Sequence, residues 1–357
     1  MTNKLERLSA CLPDAHTGAL VAAPHNLCYL TSFPSGDSWI LLTAEKNYFL
    51  TDFRYIEMAQ ATVVGAECVM ISRLTQTLAE LAEHHDLERI FLEAGETSLA
   101  QAQTLAKGVP QVTFETGDEL DNWLRDMRAV KDEEEIRRIE AAQRITEAGF
   151  DHILPYIREG VTEREVALEL EFYMRRQGAQ RVAFDFIVVS GANSSLPHGI
   201  PSDKPIERGD FITMDFGAVV DGYHSDMTRT VVLGCVTEEQ RFIYDTVLKA
   251  QQASLSVLKA GLPCLQGDAA ARDIIAAAGY GDRFGHGTGH GVGVQIHEGP
   301  RLSPAAGDVI LQAGNVVTVE PGIYLEGRYG VRIEDMALIT EDGCRNLTHC
   351  PKELIIL

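Results

Sequence analysis

The sequence lacks paired cysteines and long apolar runs, and these absences exclude several classes of protein. Its seven cysteines are scattered and none forms a C-x-x-C pair, so neither a disulfide framework nor a thiolate zinc site is expected. Buried, reduced thiols are the simpler interpretation. No apolar run approaches the roughly 20 residues that cross a bilayer, and segment 1–12 has no apolar core of a signal peptide. We therefore expect a cytoplasmic protein.

The chain is also poor in positive charge, with a formal net charge of −21 at pH 7. Such a field repels phosphate backbones and anionic lipids, so we expect neither a nucleic-acid partner nor a membrane partner. A solvated acidic surface is the plain interpretation. Part of the excess can instead be carboxylates gathered to hold cations.

Three common catalytic signatures are missing as well: a Walker loop, a G-x-S-x-G elbow and an H-E-x-x-H helix. The glycine-rich segment 285–293 lacks the strand–helix context of a dinucleotide-binding fingerprint.

The 357 residues exceed the size at which a single core stops growing, and their pattern changes along the chain. The first third alternates short strands with helices, which indicates a small α/β domain over residues 1–125. Residues 126–357 instead show paired helices and hairpins, which is α+β organisation. Strands are predicted at Ala19–Ala23, Trp39–Thr43, Tyr48–Thr51, Cys68–Ile71, Ile90–Glu93 and Val112–Phe114, and helices at Ile56–Thr62, Leu74–His84 and Leu99–Lys107. Capping boxes are predicted at Asp132 with Glu135, Thr162 with Glu165, and Thr237 with Gln240.

Two aspartates lie on a predicted hairpin in the second domain. Asp221-Gly222 between apolar runs is a strong signal for a two-residue turn. That turn makes Asp215 and Asp226 diagonal neighbours on one face of the paired strands. Like charges so close destabilise a sheet unless a cation joins them. Surface carboxylates are the alternative, but the flanking strand residues are too apolar for an exposed hairpin.

Further candidate site residues lie in four other segments. Three histidines, His286, His290 and His297, alternate with glycines in F-G-H-G-T-G-H-G-V-G-V-Q-I-H-E. Glu320 ends an apolar strand in V-T-V-E-P-G-I-Y. Arg332 and Glu334 share one face of a strand in G-V-R-I-E-D. A surface ion pair between Arg332 and Glu334 is the alternative interpretation. The weaker segment S-S-L-P-H-G, which in isolation is typical of a turn, contributes His198.

Four carboxylates and one imidazole match the charge of two divalent cations. Oxygen-rich ligation favours Mn²⁺, with Co²⁺, Fe²⁺ or Zn²⁺ as other occupants. Two such ions hold a bridging hydroxide and polarise a carbonyl, which is hydrolysis chemistry.

In this order the motifs resemble those of the pita-bread metallopeptidases, which include methionine aminopeptidase, Xaa-Pro aminopeptidase and prolidase. The resemblance covers the whole chain and implies a pita-bread catalytic domain preceded by a smaller α/β domain of the creatinase type. It implies that Asp226 and Glu334 bridge two metal ions, that Asp215 completes one site, and that His290 and Glu320 complete the other. It further implies catalytic roles for Glu320, His198 and His297, and substrate-side roles for His198, His286, His297 and Arg332.

The resemblance favours a proline-specific exopeptidase, an aminopeptidase or dipeptidase acting on small peptides with proline in second position. A broader or methionine-type aminopeptidase, a creatinase-like hydrolase and a non-catalytic binding protein remain alternatives. Proline-specific members commonly form dimers, so a homodimer is expected, with the loop Thr31–Trp39 near the partner's active site. Packing of Phe33 and Trp39 within their own domain is the alternative. Arg301 is then expected to read the carboxylate end of a short peptide.

Overall fold

The computed structural model describes residues 3–33 and 36–357, which divide into two compact units. The first unit ends at Arg128 and the second spans Ala129–Leu357. This division falls near the end of the helix Glu119–Ala129, and the position predicted after residue 125 falls inside the same helix. Within the described residues, no helix is both long and apolar enough to cross a membrane.

The first unit is built on a six-stranded sheet in the order β4-β3-β2-β1-β5-β6, in which only β2 runs against the other strands. All six predicted strands are present, displaced by at most two residues. The strands are β1 Thr17–Val21, β2 Ser38–Leu42, β3 Asn47–Thr51, β4 Glu67–Met70, β5 Arg89–Leu92 and β6 Thr113–Glu115. The helices are α1 Lys4–Ser9, α2 Pro24–Thr31, α3 Ile56–Thr62, α4 Leu74–His84, α5 Leu99–Gly108 and α6 Glu119–Ala129.

Helix α2 was not predicted, and the backbone just before it is held by a residue that is distant in the sequence. Its N-cap residue, Ala23, has no side chain that accepts a hydrogen bond. The carboxylate of Glu93, which follows β5, accepts hydrogen bonds from the backbone N–H groups of Ala22 and Ala23 and from Asn26 Nδ2. The Glu93 carboxylate therefore holds the backbone at the N-cap residue and the residue before it, and binds one side chain of the first turn.

The second unit contains four α-helices and several antiparallel sheets. The helices are α7 Glu133–Ile153, α8 Glu163–Arg176, α9 Glu238–Val257 and α10 Cys264–Ala277. The strands are β7 Arg181–Val182, β8 Ile187–Ser190, β9 Phe211–Phe216, β10 Ala218–Val220, β11 Tyr223–His224, β12 Met227–Val232, β13 Gly289–Gly291, β14 Glu298–Leu302, β15 Val316–Val319, β16 Gly322–Leu325, β17 Tyr329–Arg332, β18 Asp335–Ile339 and β19 Cys344–Asn346. They form the sheets β12-β9-β8, β11-β10-β7, β14-β13-β15-β18-β19 and β16-β17.

The predicted helix starts at Asp132, Thr162 and Thr237 are confirmed. Each of these side chains accepts a hydrogen bond from the third helical N–H, and the side chain at that position accepts one from the backbone N–H of the cap residue. A local sequence rule therefore locates the starts of α7, α8 and α9.

The predicted hairpin is also confirmed. Asp221 and Gly222 form the turn with φ values of 47° and 81°, the left-handed conformation that two-residue hairpin turns need. The register continues into the β9–β12 ladder, where Thr228 lies directly opposite Asp215. Asp226 is consequently the diagonal neighbour of Asp215.

The cysteines correspond only in part to the expected buried thiols. Cys264 and Cys350 are buried, and burial raises the pKa of their thiols to about 11 and about 12. Cys11 and Cys235 are exposed, so the expectation is wrong for these two residues. The spacing of the cysteines along the chain argues against disulfide bonds but carries no information about the exposure of each thiol.

Candidate metal centre

A cleft of about 670 Å³ in the second unit collects the side chains that the sequence singles out. Its lining includes Asp215, Asp226, His290, Glu320, Glu334, His198, His286, His297, Arg301 and Arg332. Residues more than 100 positions apart in the sequence therefore meet around a single space.

Asp226, His290 and Glu334 form the centre of this cluster. Each is buried, and one potential ligand atom from each lies within 4.8 Å of the others. His290 Nε2 is 3.5 Å from Asp226 Oδ2 and 3.3 Å from Glu320 Oε1. Asp215 stands across the ladder from Thr228, whose hydroxyl donates to Glu334 Oε2 at 2.7 Å.

Backbone contacts hold the two glutamates at strand ends. The N–H of Glu320, just after β15, donates to the carbonyl of Thr288 at 2.7 Å. The N–H of Glu334, just before β18, donates to the carbonyl of Thr228 at 3.1 Å. Each glutamate is thus tied to a neighbouring strand or loop that carries another member of the cluster.

Burial, together with the crowding of negative charge, disfavours ionisation of three carboxyl groups. Burial, reinforced by neighbouring carboxylates, raises the pKa of Asp226 and of Glu334 well above their ordinary values. Burial also raises the pKa of Asp215, although the adjacent guanidinium of Arg332 opposes the effect. A cation placed among these groups would favour their ionised forms and offset the repulsion between them.

His290 and Glu320 behave as an ion pair. Burial opposes ionisation of both groups, but their hydrogen bond and mutual attraction raise the pKa of His290 and lower the pKa of Glu320 to about 2. His290 Nδ1 lies 3.0 Å from the carbonyl of Gly291 and donates to it. This bond leaves Nε2 facing the carboxylates, the orientation that a metal-binding imidazole needs.

The donor set fits divalent metal ions. Asp215 Oδ1 is buried and has no hydrogen-bond partner among the described residues, which is costly for a carboxylate oxygen without a ligand. Carboxylate oxygens with one imidazole nitrogen suit hard or borderline cations.

Arg332 pairs with Asp215 rather than with Glu334, so the alternative of a surface Arg332–Glu334 pair is wrong. Its Nη2 donates to Asp215 Oδ2 at 2.7 Å, its Nε to Thr228 Oγ1 at 3.0 Å, and its side chain is buried. Its Nη1 donates to the hydroxyl of Tyr324 at 3.0 Å, and that oxygen lies 2.9 Å from His286 Nε2. Tyr324 was missed in the sequence, although it closes the V-T-V-E-P-G-I-Y motif.

The remaining predicted residues lie on the accessible side of the cleft. His198, His297 and Arg301 are exposed. The ring centroid of His297 is 4.4 Å from that of His290, and partial desolvation within the cleft together with that neighbour lowers the pKa of His297. These three side chains are therefore accessible from solvent within the cleft.

Comparison with known proteins agrees with this geometry. Residues 137–341 match the model of metallopeptidase family M24, and residues 5–130 match the creatinase/prolidase N-terminal domain. The chain belongs to metallopeptidase family M24. It has the fold that the sequence motifs predict, a pita-bread catalytic domain preceded by a smaller α/β domain.

Several relatives of this M24 chain carry names that indicate proline-specific peptidases. A solved Xaa-Pro dipeptidase from Bacillus anthracis has a TM-score of 0.94 and 41% identity, covering 99% of both chains. A solved X-Pro aminopeptidase from Thermotoga maritima MSB8 has a TM-score of 0.92 and 36% identity, covering 98% of this chain and 100% of its own. The Xaa-Pro dipeptidase of Pyrococcus furiosus is 47% identical over 236 residues, 66% of this chain and 68% of that protein.

A buried ion pair stabilises the backbone next to Glu334, and it was not predicted from the sequence. Arg229, which is 1% exposed, donates from Nη2 to Asp335 Oδ1 at 2.8 Å and from Nη1 to the carbonyl of Glu334. Asp335 also accepts a hydrogen bond from Lys352 Nζ at 2.7 Å. The pair thereby anchors the backbone at Glu334.

The glycines on either side of His290 allow the backbones of neighbouring segments to come into close contact. A Cβ on Gly289 would lie 1.9 Å from the carbonyl oxygen of Thr318, and one on Gly291 would lie 2.3 Å from that of Gly299. Side chains at these positions would push β13 away from its neighbours and displace His290 between them.

Proposed function

We propose that this chain is a metal-dependent exopeptidase that hydrolyses the bond between an N-terminal residue and proline. The observation that carries the proposal is the convergence of Asp215, Asp226, His290, Glu320 and Glu334 in a single cleft. The names of several relatives support the proline specificity, because they include Xaa-Pro dipeptidases and an X-Pro aminopeptidase.

We assign these five residues to two divalent ions, with Mn²⁺ as the first expectation and Co²⁺, Fe²⁺ or Zn²⁺ as other occupants. Asp226 and Glu334, at the centre of the cluster, would be shared between the ions. Asp215 would complete one site, and His290 with Glu320 the other. Bound there, the ions would supply an activated water and polarise the scissile carbonyl.

The protein's own groups would move the proton and hold the substrate. Hydrolysis adds the oxygen of water to the carbonyl carbon, breaks the C–N bond, and delivers a proton to the proline nitrogen. Glu320 is suited to carry that proton, because its carboxylate lies in the cleft beside the proposed ligands, with Oε1 3.3 Å from His290 Nε2. His198 and His297 would donate hydrogen bonds to the substrate carbonyl as negative charge develops on its oxygen.

Other residues would bind the carboxylate end of the peptide and shape the cleft around it. Arg301 is exposed in the cleft and would bind the terminal carboxylate of a dipeptide with its planar guanidinium. His286 and Arg332 are joined through the hydroxyl of Tyr324, so we assign them to shaping the substrate side of the cleft.

We further propose a homodimer in which the loop 31–39 reaches the active site of the second copy. Pro34 and Ser35 of this loop lie outside the described residues. Phe33 packs within its own unit, with its ring 5.1 Å from that of Phe49, and Trp39 is half-buried. Asp37, half-exposed and 3.1 Å from Arg54, is then the charged group of this loop offered to the partner. Light scattering that shows an active monomer would exclude the dimer.

We place the protein in the cytoplasm. All seven cysteines lie within the described residues and none of them is in a disulfide bond, which suits a reducing compartment. Cell fractionation of the native host tests this placement.

A cleavage panel tests the proposed function. Metal-free protein reconstituted with Mn²⁺ or Co²⁺ is given Ala-Pro, Ala-Pro-Ala, Met-Ala-Ser and creatine. Cleavage confined to the proline peptides is expected, and the ratio of Ala-Pro to Ala-Pro-Ala distinguishes a dipeptidase from an aminopeptidase. Preferential cleavage of Met-Ala-Ser, or turnover of creatine alone, would overturn the proposal.

A further inference from the structure

Two residues of α10, Asp268 and Arg272, hold the backbone of the glycine-rich segment 284–288. Arg272 donates from Nε to Asp268 Oδ2 at 2.7 Å and from Nη2 to Asp268 Oδ1 at 2.9 Å. The same guanidinium donates to the carbonyls of Phe284 at 2.9 Å and His286 at 2.7 Å. It also lies over the ring of Phe284, 4.2 Å from the centroid.

The carboxylate of Asp268 completes the arrangement. Its Oδ1 accepts hydrogen bonds from both the N–H and the hydroxyl of Thr288, each at 2.9 Å. The carbonyl of Thr288 in turn accepts the N–H of Glu320 at 2.7 Å. A continuous chain of contacts therefore runs from α10 through the loop to a proposed metal ligand.

Neither residue lines the cleft. The side chain of Asp268 is 2% exposed and that of Arg272 is 25% exposed. The segment that they grip contains Gly285 and Gly287, which contribute no packing side chains of their own. A glycine-rich stretch loses much conformational entropy on ordering, so its position needs external contacts.

We infer that Asp268 and Arg272 are positioning residues that fix the loop bearing His286 and leading to His290, and through Thr288 the backbone of Glu320. This inference rests on the proposed function, because it assigns these residues to the same site. Planar, bidentate donors suit the task, since a guanidinium can bind a carboxylate and two carbonyls at once.

Another helix supplies a matched control for the pair. Glu171 and Arg175 on α8 are also an acid and an arginine four residues apart, joined at 3.0 Å. Both are substantially exposed, and Arg175 makes one long contact of 3.3 Å to the carbonyl of Gln180. If Arg272 merely stabilised its helix, replacing either arginine would have a similar, small effect.

The test compares Arg272→Ala with Arg175→Ala in the full-length, Mn²⁺-saturated protein, assayed with Ala-Pro and Ala-Pro-Ala at a temperature where both are folded. Arg272→Ala is expected to lower kcat by about 10–100-fold, the usual effect of losing a residue that orients a metal ligand. Arg175→Ala is expected to retain the wild-type kcat. Hydrogen exchange of segment 284–290 is expected to rise only in Arg272→Ala.

Chemical rescue separates positioning from general stability. Because the Arg272 side chain reaches the surface, added guanidinium chloride in the millimolar range is expected to restore kcat of Arg272→Ala, whereas sodium chloride does not. If Arg272→Ala does not fold, Arg272→Lys is assayed instead, and a loss of kcat of about tenfold is expected because lysine lacks the planar fork. Wild-type kcat and unchanged exchange in the folded variant would overturn the inference. An inactive wild type with increased exchange in the variant would instead overturn only the proposed function.

Discussion

Acid is expected to destabilise the protein through a buried histidine, His224, on β11. Its side chain is buried, its Nδ1 lies 3.0 Å from the carbonyl of Gly293, and Arg181 Nη2 lies 3.2 Å from its Nε2. The nearby guanidinium of Arg181 favours the neutral ring, whereas the hydrogen bond from Nδ1 to the carbonyl of Gly293 partly opposes this effect. Burial lowers the pKa of His224 from 6.5 to about 4.

The size and the sign of the stability loss in acid follow from the lowered pKa of His224. Between pH 6.5 and about 4 the unfolded chain binds a proton at this position and the folded chain does not. The contribution of neutral His224 to the free energy of unfolding is therefore fully present above pH 6.5 and is lost as the pH falls toward 4. At ~1.4 kcal/mol for each tenfold change in proton affinity, the loss amounts to about 3 kcal/mol.

The assay is urea unfolding of metal-free protein at pH 7 and at pH 4, comparing wild type with His224→Asn. The asparagine amide keeps a donor toward Gly293 but does not titrate in this range. Wild type is expected to lose about 3 kcal/mol more unfolding free energy than the variant between the two pH values. The same substitution at exposed His349 controls for the removal of an imidazole. Equal losses in wild type and His224→Asn would refute the reasoning.

The remaining predictions concern the cluster and its support. Asp226→Ala is expected to remove metal and activity together, because it deletes a ligand proposed to be shared; elemental analysis that finds two ions per chain would contradict the assignment. His198→Ala is expected to lower turnover about 10²–10³-fold with unchanged metal content, and loss of metal would show that His198 has another role. Arg301→Ala is expected to raise KM for Ala-Pro more than for Ala-Pro-Ala, and equal increases would exclude recognition of the dipeptide carboxylate. Arg229→Met is expected to lower the unfolding free energy by about 3 kcal/mol, because it leaves buried Asp335 without one of its cations; a urea midpoint close to wild type would argue against that contribution.

Local rules were sufficient to predict the hairpin geometry of the cluster. The Asp221-Gly222 turn determines the strand register, and the register puts Asp215 diagonal to Asp226. The helix starts at Asp132 and Thr162 follow from capping boxes that involve residues only three apart. In each case the contacts that decide the structure are short-range.

Contacts between distant residues could not be derived in the same way. The backbone N–H groups of Ala22 and Ala23, just before α2, donate to Glu93, about 70 residues away, and no neighbouring residue indicates this contact. Arg332 has Glu334 beside it in sequence yet pairs with Asp215, because β9 and β17 meet only in the folded chain. Arg272 belongs to a helix with no recognisable motif, and its role depends on carbonyls 12 and 14 residues further along the chain.

The central claim is that a two-metal cluster in this cleft hydrolyses Xaa-Pro bonds. The most direct measurement is the initial rate of Ala-Pro and Ala-Pro-Ala cleavage by metal-free protein titrated with Mn²⁺, with bound metal determined in the same samples. The account predicts no cleavage without metal and a rate that rises until two ions are bound per chain. Full occupancy without cleavage of either peptide, or undiminished cleavage in the presence of a chelator, would contradict it.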